Sequence, residues 1–151
     1  MVRKYWLKNF LKAGMIFLNK YEKKEKYKMK LNNVQIYNYA NAYNQAFAEF
    51  NAYLPAKANF ILQKNITALA AAAEEIDKSR LAIAQHYGNM SEEGTHYNIP
   101  QENMEAANKE LQELFEIEQD LDIRSLSIEA FGNVEFTPAQ MQAIMFMIEE
   151  G

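Results

Sequence analysis

Between Pro55 and Tyr87 the chain runs for 32 residues without a glycine or a further proline. Within that run Leu62, Ile66, Leu69, Ala73, Ile76, Arg80, Ile83 and Tyr87 recur at alternating steps of four and three residues. That spacing puts them on one side of an α-helix, as in the seam of a coiled coil. At ~1.5 Å of rise per residue the helix is on the order of 50 Å long. A rod of that length needs partners along its side, so the rest of the chain must supply elements that pack lengthwise against it. Ala68 and Ala70 to Ala73 leave room for close approach, and Gly88 is the expected stop.

The three prolines, Pro55, Pro100 and Pro138, each stand where a helix can begin, because the first helical position loses nothing when its N–H is missing. Residues 34–53 carry Ile36, Tyr39, Ala40, Tyr43, Phe47 and Phe50 at helical steps, which predicts a helix with an aromatic stripe. After Gly88 the stretch "GNMSEEGTHYNIP" reads as a turn or short hairpin centred on Glu92-Glu93-Gly94. A third helix follows Pro100, with Met104, Ala107, Leu111, Leu114, Phe115 and Glu118 on one side. It should pair antiparallel, over residues 101–118, with the long helix, because the connection is short. Arg80, on the apolar seam, then needs a carboxylate, and Glu110 or Glu113 is in range to supply it. "LDIRSLSI" at residues 121–128 alternates enough to predict a strand, and "AFGNVEF" contains a Gly-Asn turn and a possible second short strand. Thr137-Pro138-Ala139-Gln140 is a helix start, with an N-cap, proline at the first position and glutamine three after the cap. The expected fold is mainly α with a small β element: a long antiparallel helical hairpin, N- and C-terminal helices and a short β-hairpin.

Charge is unevenly distributed. Residues 1–28 hold nine Lys/Arg and two Glu, a net +7, and residues 29–151 hold seven Lys/Arg and 18 Asp/Glu, a net −11. A domain at −11 is a poor grip for a phosphate backbone, where protein cations must replace counterions, so no nucleic-acid partner is expected. The basic leader divides from a single helical domain at residues 29–151. Its "KKEKYKMK" can be encoded with AAGGAG over Lys24-Glu25, a bacterial ribosome-binding site three codons ahead of Met29. On that reading translation starts at Met29 and residues 1–28 are left out of functional argument. The alternative is a basic amphipathic helix, with Trp6, Leu7, Phe10 and Leu11 on one face, lying on a membrane surface. No membrane role is expected apart from that leader.

Little in the sequence points to catalysis. The chain has no cysteine, which removes disulfides, thiolate metal sites and thiol nucleophiles. No phosphate-binding or nucleophile-elbow pattern occurs. His86 and His96 are the only histidines, and with Glu92 or Glu93 they lack any metal-ligand spacing. Asn65-Ile66-Thr67 matches a glycosylation acceptor but falls mid-helix. No metal and no cofactor is expected. Two surfaces stand out as candidates for contact with another protein. One is the acidic run Glu113, Glu116, Glu118, Asp120 and Asp122. The other is the C-terminal helix, where Met141, Ile144, Met145 and Ile148 fill one stripe and Phe146 and Met147 widen it beyond what one neighbour can cover. Phe146 and Met147 are therefore expected to meet a second copy or another protein.

The wording "IYNYANAYNQAF", "LPAKANFILQKN", "EEIDKSRLAIAQHYG", Glu105-Ala106-Ala107-Asn108-Lys109-Glu110-Leu111 and the ending "FTPAQMQAIMFMI" resembles a phage and prophage family of Gram-positive bacteria, known as domain of unknown function 1617. The resemblance covers residues 30 to 149. It implies a start near Met29 and a phage-encoded protein of the host bacterial cytoplasm or the virion, and it transfers no catalytic residue. The expected function is that of a non-enzymatic phage accessory protein working by protein–protein contact or self-association, in virion or tail assembly. The alternative is an inhibitor of a host defence protein that uses the acidic face.

Overall fold

The computed structural model describes residues 28–149, so residues 1–27, all but the last residue of the basic leader, and the last two residues lie outside the described part. In chain order the elements are strand β1 (Lys28–Asn32), helix α1 (Asn33–Ala46), helix α2 (Ala56–Tyr87), strands β2 (Asn89–Met90) and β3 (Tyr97–Asn98), helix α3 (Gln101–Glu116), strand β4 (Glu118–Asp122), a 3-10 turn (Ile128–Phe131), helix α4 (Pro138–Ile144) and a second 3-10 turn (Met145–Met147). The fold is mainly helical with small antiparallel β elements.

The long unbroken stretch folds as a single helix of 32 residues. Its buried side is Ala58, Leu62, Asn65, Leu69, Ala72 and Ile76. The four-three period is as read, but half the line is displaced by one position. Asn65 and Ala72 take the places expected of Ile66 and Ala73, which instead flank the core half-buried. The reason is that α2 serves several neighbours at once: α1 and α3 pack along it, β4 and the first 3-10 turn also contact it, and the backbone of Arg124 meets it at Asn65.

All three prolines open helices, and α3 returns antiparallel to α2, with Asn103 Nδ2 donating to the Tyr87 carbonyl at 2.9 Å near the connection. The expected hairpin forms: β2 pairs antiparallel with β3, and Gly94 sits at its tip with φ +70°. Gly88 does more than end a helix. A Cβ there would lie 2.8 Å from the Ala84 carbonyl oxygen and 2.9 Å from that of Asn98, both backbone atoms. Gly88→Ala should therefore force the helix–hairpin junction apart and lower unfolding stability by about 1–3 kcal/mol in urea titration, the range for overpacking a tight site.

Several boundaries differ from expectation. The first helix stops at Ala46 rather than reaching residue 53. The Phe47 amide caps it by donating to the Tyr43 carbonyl at 2.9 Å, and the chain turns so that Phe47 and Phe50 both meet Phe136, with Phe131 on its other side. A four-ring cluster thus outweighs local helix preference. The strand expected at 121–128 is instead β4 at 118–122, and its partner is β1, in register from Lys28 opposite Asp122 to Asn32 opposite Glu118. Residues 123–126 then run between two other supports. On one side Leu126 exchanges backbone hydrogen bonds with Met147 and Glu149, both at 2.8 Å. On the other is Asn65, described below. The Gly-Asn turn forms at Gly132, φ +64°, but no second strand follows it. The C-terminal helix has its Thr137/Gln140 capping box and then tightens to 3-10 geometry at Met145.

Candidate functional site

Arg80 does not pair with Glu110 or Glu113. Its Nη1 donates to Asp77 at 3.0 Å and to the Tyr37 hydroxyl at 2.8 Å, and its guanidinium stands over the Tyr37 ring at 5.1 Å. The cause is α1, which brings Tyr37 to this end of α2 before α3 can offer a carboxylate. Glu110 instead accepts a 2.6 Å hydrogen bond from Tyr87. That bond, with some desolvation, holds the Tyr87 phenol above its usual range.

The five acids singled out from sequence are all exposed. They do not form one uniform negative face. On β4, Glu118, Asp120 and Asp122 alternate along the strand and stand opposite Asn32, Lys30 and Lys28 of β1. Lys30 Nζ reaches Glu118 at 3.7 Å, and Arg124 reaches Asp122 at 4.0 Å. Opposite charges across an antiparallel pair support the register. The β4 carboxylates thus have local cations, while Glu113 and Glu116 lie on the outer side of α3, Glu116 accepting from Gln112 at 2.9 Å.

The C-terminal residues separate into two groups. Met147 is fully buried, with its sulfur accepting from Asn65 Nδ2 at 3.4 Å. It belongs to the core, so the expectation that it meets another chain does not fit its position. The 3-10 turn is what rotates it inward. Phe146 is half-buried, and its ring lies flat on that of Tyr39 from α1, with centroids 4.2 Å apart and planes 7° apart. Met141 is half-buried, and Met145 is 56% exposed. Tyr43, one helical turn beyond Tyr39, is half-buried, and burial raises its phenol pKa. The large apolar side chains of the C-terminal segment that solvent reaches are therefore Met141, Met145, Phe146 and Ile148, of which Phe146 lies on Tyr39 of α1. Of this group the sequence singles out the two methionines and Phe146 as contact candidates but does not name Tyr39 as their neighbour. Its place in the aromatic stripe of α1 was the available signal.

The two histidines have separate neighbours. The His86 ring packs edge-on against Tyr87, and His96 Nδ1 is 3.0 Å from Thr95 Oγ1 on the hairpin. Among the described residues no group of three His, Asp or Glu is disposed to hold a metal ion, and no helix is long and apolar enough to cross a membrane. An open groove of about 380 Å³ lies between α2 and α3, lined by the Asp77–Arg80 pair and by Leu81, Ile83, Leu111 and Phe115 among others. Asn65, in the acceptor sequence noted above, is fully buried and its side chain is fully engaged.

Comparison with protein-family models, with curated proteins and with solved structures gave no match.

Proposed function

We propose that this chain is a phage-encoded accessory protein of Gram-positive hosts that works by protein–protein contact, without catalysis, in virion or tail assembly. Its place is the host cytoplasm or the virion. The observation that carries the reading is the surface built by Tyr39, Met141, Met145 and Phe146. A flat, half-buried aromatic pair beside an exposed methionine offers stiff contact area next to an adaptable side chain, the chemistry enriched in interface centres.

The test is co-purification of phage gene products with the tagged protein from infected cells, compared with its Met145→Glu variant. Met145 is exposed, so the variant should keep the wild-type circular dichroism and melting temperature while its partner is lost. Retention of the same partner by the folded variant would remove this surface from the function. The inhibitor reading rests on the exposure of Glu113 and Glu116. It calls for a host protein among the captured partners whose binding weakens steeply with salt.

A further inference from the structure

We draw no further inference here: the strongest candidate, the open groove between α2 and α3 with the half-exposed Leu81 on its wall, carries nothing, because the Asp77–Arg80 ion pair in its lining leaves it no single sign of charge to select an occupant and nothing in the structure shows what covers it.

Discussion

Asn65→Leu should cost about 2–4 kcal/mol of unfolding free energy, read as a lower urea midpoint with little change in slope. Asn65 is fully buried in the first half of α2. Its amide closes a two-point clamp on the backbone of Arg124: Nδ2 donates to the carbonyl at 2.8 Å, and Oδ1 accepts from the N–H at 2.8 Å. That pairing stands in for a neighbouring strand. Leucine has nearly the same volume, so no large cavity is expected. The cost is that of leaving one backbone donor and one acceptor buried without partners, at about 1–3 kcal/mol for each such group. Asn65→Asp gives a sharper variant of the test. It keeps the acceptor and loses the donor, and at neutral pH it also buries a charge facing a carbonyl. Its stability should therefore recover partly as the pH falls and the carboxyl takes up a proton that can donate to that carbonyl. Wild-type stability in Asn65→Leu would mean that the Arg124 backbone is satisfied another way.

The second large effect is expected at Phe131. It is 1% exposed and meets Phe136 edge to face at 5.1 Å. Through Phe136 it joins Phe47 and Phe50, so one ring supports the end of α1, the irregular stretch before α2 and the approach to α4. Phe131→Ala should destabilise by about 3–5 kcal/mol, the usual cost of emptying an aromatic site in a core that relaxes only partly. Two outcomes are diagnostic in hydrogen exchange. Protection should fall first around residues 47–54 and 131–137, and less at the α2–α3 end. Uniform loss everywhere would indicate a single cooperative unit rather than a local keystone.

Periodicity and punctuation carried the helices well. The glycine- and proline-free run left one option for residues 56–87, and each proline marked a helix start because its chemistry is local. The short hairpin was legible from Gly94 and its flanking polar residues for the same reason. Interactions between distant segments were not legible. Nothing near Met29 announces that residues 28–32 will pair with residues 118–122, since the partner's register is set by packing of the helices between them. The clamp of Asn65 was hidden because the apolar Ile66 next to it fits the seam by residue type, which left the asparagine looking like a flanking polar residue. It is instead the one side chain there able to satisfy both groups of a passing backbone. Arg80 was rightly seen as needing company, but its partners come from its own helix turn and from α1. In the C-terminal segment the residue types signalled contact. Only the tightening at Met145 decided that Met147 points inward and Phe146 toward Tyr39.

The pairing of β1 with β4 sets an order of events during synthesis. Asn33, the first residue of α1 directly after β1, and Gln119, on β4, share a 2.7 Å side-chain hydrogen bond although 86 positions separate them. Closing so long a loop is entropically expensive until something brings its ends together. The α2–α3 hairpin can form from neighbouring sequence and does that work. Among the strands β1 is therefore the first to be made and waits for its partner. At ~5–20 residues per second, the interval is on the order of several seconds. For that time its apolar Met29 and Leu31 lack the cover they have in the finished molecule, and Lys28 and Lys30 are the charges that keep a waiting edge from pairing with a wrong strand.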